Sequence, residues 1–420
     1  MLILALIYFV LFLILAFKKF DWAVYFLILT LPTYIIRLQI GPLPTTILEI
    51  SFFAVVMAGL LKINIENIRG FKNEIINHKA FLVFLVSLLI FSFVGALTSM
   101  IGSENPTQKL VYGVGEWRAL FLEPILLFIL LVIHREKLKV DHIILSLFGG
   151  AVVVSTIALV QKFTGSWFPP SLWDDHLFGR VTSIFTSANA IGLFTVPILF
   201  LSLVVLQKKY YLWLGGLVIL LANAFSISQG AWIAIGAGVL VYLYILGYRK
   251  ITVAITVVGI VGSLLLPSMR EAVLFQDQAG KNRLTLWTHT VNYLTDSPQN
   301  FILGSGVRNF FDAIQKPFYN PKALEALKYP HNIILNFWTE IGLFGMISFV
   351  GIIVFLFIIL CKVTDTQKKA AYIAALTALI IHGLVDVPYF KNDLAMLFWI
   401  IAYVVLIHKK TKNTTKTSLV

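Results

Sequence analysis

Two basic side chains lie at places where a charge needs a chemical reason. Arg180 opens the segment GRVTSIFTSANAIGLF, in which hydroxyl side chains and Asn189 interrupt an otherwise apolar run. Helix N-termini and arginine side chains both bind phosphate oxygens, so this segment predicts a phosphate site beside a wet cavity. An arginine that reaches lipid headgroups is the structural alternative. His331 and Asn332 follow Pro330, where they predict either a general base or a helix N-cap.

Further ionisable residues lie within or next to apolar runs, where charge is costly and marks a site or a partner pair. They are Glu49, Glu116, Arg118, Glu123, Glu340 and Asp386. Mutual pairing of Glu116, Arg118 and Glu123, or pairing with neighbouring helices, is the alternative to a functional role. The candidate substrate-binding residues are Arg118, Asn189, Arg308 and Asn332.

Two weaker patterns do not support a cofactor or a metal. Asp174 and Asp175 follow the aromatic stretch SWFPPSLW, but adjacent acids without further ligands indicate a solvated turn rather than a metal site. Gly304 and Gly306 lack the flanking strand and the GK[ST] of a nucleotide-binding loop, so they predict a tight turn. We therefore expect no metal and no cofactor.

The composition determines the class of protein that must position these residues. Of the 420 residues, 59% are hydrophobic and 13% are charged, and the mean hydropathy is +0.89. Apolar runs such as 142–160 and 188–206 approach the ~20 residues that a membrane-spanning helix needs. The run 82–97 does not alternate as barrel strands do, which excludes a transmembrane barrel. The sequence predicts an all-α polytopic transmembrane bundle.

Charge and cysteine usage exclude other classes. The formal net charge of +13 comes from short basic clusters between apolar runs, which is the positive-inside pattern and not a basic nucleic-acid-binding domain. The single cysteine, Cys361, excludes an internal disulfide. The first segment, 1–17, lacks the features of a signal peptide and predicts a retained span.

Placing every basic cluster in the cytoplasm predicts about thirteen spans, with the N-terminus outside and the C-terminus inside. The spans are expected near 1–17, 22–36, 45–61, 80–101, 117–133, 142–162, 188–206, 210–228, 230–248, 250–266, 332–361, 369–386 and 393–408. Whether the number of spans is odd or even depends on the short second span and on the turn at 226–230. The segments 37–44, 102–116, 163–187, 267–330 and 387–392 are then outside.

One integrated membrane domain is expected, because no repeat period is present. Within it we distinguish N-terminal helices at 1–179, core helices at 180–266, a large outer loop at 267–330, and C-terminal helices with a basic cytoplasmic tail at 331–420. The outer loop has helical spacing across 283–294, and it contains the aromatic residues Trp287, Phe301, Phe310, Phe311, Phe318 and Tyr319. It predicts an amphipathic helical cap lying on the bundle, with functional residues.

Several motifs, taken in order, resemble the O-antigen ligase and O-antigen polymerase superfamily. They are Arg180 with SIFTSANAIG, SISQGAW (226–232), NRLTLW (282–287), LGSGVRNF (303–310), PHNIILNFWTEIGLFG (330–345) and HGLVDVPYFKNDLAMLFW (382–399). The resemblance covers roughly 180–400 and does not distinguish members within the superfamily. It implies a C-type, multi-pass glycosyltransferase of the bacterial cytoplasmic (inner) membrane, acting on its extracytoplasmic side.

The resemblance also implies substrates and residue roles. The donor would be an undecaprenyl-diphosphate-linked glycan, the acceptor a glycan, lipid or protein, and the course an inversion by direct displacement. Arg180 and Arg283 would hold the diphosphate, and His331 would activate or position the acceptor hydroxyl. This is chemically coherent, because two guanidinium groups can stabilise a diphosphate leaving group without a metal.

Two features depart from the superfamily pattern. Gln229 stands in the S-x-S-R-G-A stretch where members often have arginine, so no role is assigned to it. The odd span count also differs from the even number in many relatives.

Two other classes of protein stay open from the sequence. A polytopic transporter or lipid-oligosaccharide flippase would also have about thirteen spans, although such proteins tend to show internal repeats. A peptidoglycan-type polymerase would depend on an acidic residue of the outer loop, for which Asp277, Asp296 and Asp312 are the candidates.

Overall fold

Apolar helices dominate the computed structural model, which describes residues 2–40, 43–76, 78–101, 105–168, 179–207, 209–320 and 326–407. Eighteen α-helices occur in these ranges: α1 (Leu2–Lys18), α2 (Phe20–Leu29), α3 (Ile47–Leu60), α4 (Ile65–Phe71), α5 (Lys79–Thr98), α6 (Pro106–Trp117), α7 (Glu123–Ile133), α8 (Val140–Thr164), α9 (Asn189–Leu206), α10 (Trp213–Ser226), α11 (Gln229–Ile245), α12 (Arg249–Leu265), α13 (Pro267–Val273), α14 (Gln278–Asp296), α15 (Pro298–Leu303), α16 (Ile333–Cys361), α17 (Thr366–Gly383) and α18 (Asn392–Ile407).

The remaining regular elements are short. Strands β1 (Arg37–Ile40) and β2 (Leu43–Thr46) pair antiparallel, with Arg37 opposite Thr46. The 3-10 segments are Leu31–Ile35, Arg135–Lys137, Tyr210–Leu212 and Lys316–Phe318, and the π-helical segments are Lys72–Ile76, Arg118–Leu122 and Phe311–Gln315. The expectation of an all-α polytopic bundle is confirmed.

Each predicted span overlaps a helix, although α2 ends at Leu29 within the span predicted at 22–36. Fewer of these helices are long and apolar enough to cross a membrane. Four helices, α5, α8, α9 and α16, are long and apolar enough to cross a membrane. The number rises to six if α3 with Ile65–Ile76, and α12 with Met269–Asp296, are each counted as one bent span. The count of about thirteen and its orientation stay predictions, as does the division at 179, 266 and 330.

Two central helices carry the core. Nearly every residue of α9 and α18 is buried, as expected of helices that are apolar on all sides. Helix α17 packs against α9 and α11, and α16 packs against α5. By contrast, α12 has a buried side chain only at Thr252, and its apolar side chains are exposed, as lipid contact requires.

The predicted outer loop is helical, as expected. Helices α13, α14 and α15 and the segments from Phe311 to Phe318 occupy it. Leu286, Phe310 and Ile314 form a small hydrophobic core within this cap. The next helix, α16, is interrupted at Gly342, whose φ of 74° is non-helical. A side chain there would meet the carbonyl oxygen of Ile302, so the interruption allows the cap to pack closely.

Candidate active site

The backbone around Arg180 is fixed by a glutamine of α8. The Gln161 Oε1 atom accepts hydrogen bonds from the backbone N–H groups of Thr182 (3.1 Å) and Ser183 (2.7 Å). Its Nε2 atom donates to the carbonyl of Ser183 at 2.6 Å. Ser183 has a φ of 56°, a conformation that costs energy in a non-glycine residue unless neighbours hold it. These hydrogen bonds therefore fix the backbone next to Arg180, from which its side chain extends.

The Arg180 guanidinium contacts two helix ends. Its Nε atom donates to the carbonyl of Ser226, the last residue of α10, at 2.9 Å, and an Nη atom donates to Oδ1 of Asn189 at 3.0 Å. Asn189 is the first residue of α9 and donates its Nδ2 to Oδ2 of Asp386 at 3.1 Å. The side chains of Arg180, Asn189 and Asp386 therefore form one hydrogen-bonded chain.

His331 joins the same carboxylate from the opposite direction. Its Nδ1 atom lies 3.2 Å from Oδ1 of Asp386. The residue has a φ of 54°, and the preceding carbonyl, of Pro330, accepts a hydrogen bond from Trp287 of α14 at 2.9 Å. The Tyr329 ring contacts the imidazole edge-on at 5.4 Å. The imidazole is therefore oriented by groups from three parts of the chain.

Asp386 is the residue that connects the site, and sequence reasoning did not assign it a site role. It is buried and also accepts the backbone N–H of Val387 at 2.8 Å. Its two carboxylate oxygens therefore face Asn189 and His331. The sequence feature that could have identified Asp386 is an acidic residue beside an apolar run, in the HGLVDVPYF motif.

Arg283 reaches the residue next to Asp386. Its Nε atom donates to the carbonyl of Val385 at 3.0 Å. It lies in the first two turns of α14, whose N-cap Asp277 accepts from the backbone of Gly280 and from the Gln229 side chain. In the described ranges, Arg283 makes no ion pair with a carboxylate.

Asn332 caps α16 and contacts the same short segment. Its Oδ1 atom accepts from the backbone of Ile334 and Leu335, as the capping hypothesis predicted, and its Nδ2 donates to the carbonyl of Leu384 at 3.1 Å. Residues 384–386, which we call the junction segment, therefore accept hydrogen bonds from side chains of α14, of α9 and of the start of α16.

The other two predicted substrate-binding arginines lie in separate ion-pair clusters. Arg118 contacts Glu49 at 2.7 Å and Glu123 at 3.1 Å, which agrees with the pairing alternative. An Nη atom of Arg308 contacts Glu116 at 3.3 Å, and its backbone N–H donates to Glu340 at 2.7 Å. A substrate-binding role for either arginine stays a prediction.

The acidic residues named from the sequence have varied surroundings. Asp277 caps α14, Asp312 pairs with Lys109, and Asp296 ends α14. Asp174 and Asp175 lie outside the described residues. The tight turn predicted at Gly304 and Gly306 is present, since both have positive φ values and approach the backbones of Thr339 and Ser99 closely.

Comparison with known families tests the resemblance. A sequence model of the family described as O-antigen ligase matches residues 214–350. The matched range, about a third of the chain, includes Arg283, Arg308, His331 and Asn332. It supports, at the level of the family, an O-antigen ligase- or polymerase-like membrane glycosyltransferase. No curated protein matches the chain.

Proposed function

We propose that the protein transfers or polymerises an undecaprenyl-diphosphate-linked glycan on the outer face of the cytoplasmic membrane. The observation that carries this proposal is the convergence on the junction segment. Arg180 reaches it through Asn189, while Arg283 and His331 reach it directly. Two arginines and an oriented histidine are the groups that displacement of a diphosphate requires.

The arginines would hold the diphosphate. Both use the Nε atom on a backbone carbonyl, so each guanidinium is held in a defined orientation. A carbonyl does not cancel the charge of a guanidinium, and Arg283 makes no ion pair with a described carboxylate. Its net positive charge would stabilise the negative charge that develops on the departing diphosphate.

His331 and Asp386 would handle the proton. An ionised Asp386 would accept the Nδ1–H of His331, and the lone pair of Nε2 would then take the proton of the acceptor hydroxyl. As the acceptor oxygen bonds to the anomeric carbon, the bond from that carbon to the diphosphate oxygen breaks. The leaving undecaprenyl diphosphate keeps the electron pair, and the hydroxyl proton passes to Nε2.

The side of the membrane follows from the predicted topology. Arg180, Arg283 and His331 fall in or at the edges of predicted outer segments 163–187 and 267–330. Their contacts with the junction segment bring these segments next to the predicted outer segment 387–392. This convergence supports an outer-face site, and cytoplasmic basic clusters are not part of it.

Reconstitution tests the proposal. The purified protein is placed in liposomes with a defined undecaprenyl-diphosphate oligosaccharide, and products are separated into longer chains and glycan on an added acceptor. We expect consumption of the donor, with either product, and loss of both products in Arg283→Ala but not in the control Arg249→Ala. Movement of donor across the bilayer without its consumption would favour a flippase and overturn the proposal.

A further inference from the structure

A polar cavity lies away from the junction segment. Its volume is about 730 Å³, and it opens between α6, the turn after α15, and the segment that follows it. Side-chain amides, tyrosine rings and basic groups line it. None of the residues assigned above to diphosphate or proton transfer is among them.

The lining combines groups that bind sugars. Side-chain amides such as Asn105 and Asn300 offer both donors and acceptors to hydroxyl groups. Tyr112 and Tyr293 add aromatic rings with a polar end, which suits a ligand that has both apolar ring faces and hydroxyls. A volume of this size is typical of a ligand-binding cleft.

The cavity also carries a surplus of positive charge. Four of its lining residues are basic, namely Lys109, Arg308, Lys316 and Lys328, and Asp312 is the acidic one among the described lining residues. Asp312 is already paired with Lys109. Lys316 and Lys328 are exposed and form no ion pair with a described carboxylate.

Arg308 is a basic residue of the cavity lining that several neighbours hold in place. Its backbone is held in a left-handed conformation, φ 61°, by the hydrogen bond from its N–H to the buried Glu340. Its guanidinium lies over the Tyr112 ring, 4.9 Å from the centroid, and contacts Glu116. Because Glu116 already pairs with this guanidinium, Arg308 adds oriented N–H donors, and Lys316 and Lys328 supply the positive charge that no described carboxylate pairs with.

Two helices connect the cavity with the proposed reaction site. Ser305, which lines the cavity, donates its backbone N–H to the carbonyl of Thr339 on α16 at 2.7 Å. Thr339 lies roughly 9 Å along α16 from its first residue, Ile333, which is two residues after His331. Tyr293, which also lines the cavity, lies roughly 15 Å beyond Arg283 along α14. A glycan whose reacting end lies at the junction segment therefore has a polar cavity within its reach.

We infer that this cavity binds an anionic glycan, one that carries carboxylate or phosphate groups on its sugars, during transfer. The inference rests on the proposed function and deepens it by naming the charge of the substrate. The amides and tyrosines contact the sugar rings, and Arg308, Lys316 and Lys328 contact the acidic substituents. The glycan belongs either to the donor or to the acceptor.

Direct binding tests the inference with the full-length protein in detergent. The probes are hexagalacturonate and its carboxyl-reduced, neutral counterpart, measured by calorimetry at low and high salt. We expect hexagalacturonate to bind about tenfold more tightly than the neutral hexamer, as one charge-assisted hydrogen bond provides, and this preference to weaken with salt. The variant Lys316→Gln/Lys328→Gln should lose most of the preference.

A matched control removes two lysines elsewhere. Lys137→Gln/Lys250→Gln has the same change in charge at two exposed positions outside the cavity, and it should keep the preference. No binding of hexagalacturonate, equal affinity for the two hexamers, or a preference unchanged in Lys316→Gln/Lys328→Gln would overturn the inference.

Different results would overturn the proposed function and the proposed glycan-binding cavity. Arg283→Ala should lower transfer by about 10²–10³-fold and leave hexagalacturonate binding at the wild-type affinity, because Arg283 does not line the cavity. Normal transfer by Arg283→Ala would count against the proposed function and leave the binding result intact. In the transfer assay, inhibition by hexagalacturonate that is competitive with the donor assigns the cavity to the donor glycan, and inhibition competitive with the acceptor assigns it to the acceptor.

Discussion

Arg118 lies at the predicted outer end of a membrane span and Arg283 lies in the predicted outer loop, but their partners differ. The Arg118 guanidinium lies between two buried carboxylates, those of Glu49 and Glu123, at 2.7 and 3.1 Å. The Arg283 guanidinium contacts a backbone carbonyl instead. Ion pairing uses the charge of Arg118 to stabilise the bundle, whereas the charge of Arg283 is available to a ligand. Residue type and predicted position alone do not distinguish the two arginines.

The largest expected effect on transfer comes from replacing His331, which contacts the junction segment as Arg283 does. His331→Ala removes the proposed base, and transfer should fall by about 10²–10⁴-fold. Donor consumption in proteoliposomes measures this fall, with His289→Ala as the matched control, since His289 stacks on Phe318 away from the junction segment. Normal transfer by folded His331→Ala protein would refute the assignment of the base.

Arg283→Ala should lower transfer by about 10²–10³-fold, the usual loss when one group that stabilises developing negative charge is removed. Arg283→Lys should recover only part of this loss, because an ammonium cannot hold both the Val385 carbonyl and a phosphate oxygen in the same geometry. The measurement is the initial rate of donor consumption, and Arg270→Ala serves as a control in the same outer loop. Equal rates for Arg283→Ala and Arg270→Ala would contradict the role of Arg283.

Asp386→Asn tests whether the junction carboxylate positions His331. Loss of one charged hydrogen bond, about 1.5–3 kcal/mol, should lower transfer by roughly ten- to hundredfold. The acidic limb of the rate–pH profile should also move to lower pH, because no negative charge remains to stabilise a protonated imidazole. A purely structural role for Asp386 predicts a lower yield of folded protein and an unchanged pH profile.

Arg118→Ala should have the smallest effect on transfer and a clear effect on stability. It leaves the Glu49 and Glu123 carboxylates without their cation, which should lower the free energy of unfolding by about 1–3 kcal/mol. Thermal unfolding in detergent measures this loss, and Arg118→Ala/Glu123→Gln should recover part of it. Loss of transfer by the folded Arg118→Ala protein would instead support the substrate-binding role predicted from the sequence.

The part of the site that was predictable consists of residues inside recognisable motifs. Arg180 and His331 were predicted from polar residues next to apolar sequence and from the resemblance, and Arg283 from the resemblance alone; the family match covers Arg283 and His331. The capping contacts of Asn332 were predictable as well, because a cap bonds to backbone groups two and three residues away. Arg308 was identified as a candidate, but its neighbours across the cavity were not.

The apolar helices and the helical outer loop were determined by the sequence, because each span is encoded by a continuous run of apolar residues and each cap by near neighbours. Only the tertiary structure showed that Asp386 connects His331, 55 positions away, with Asn189, 197 positions away. The partners of Arg118 and Arg283 were decided in the same way. Contacts between residues so far apart depend on how helices pack, and hydropathy specifies which helices form without specifying which of their polar side chains meet.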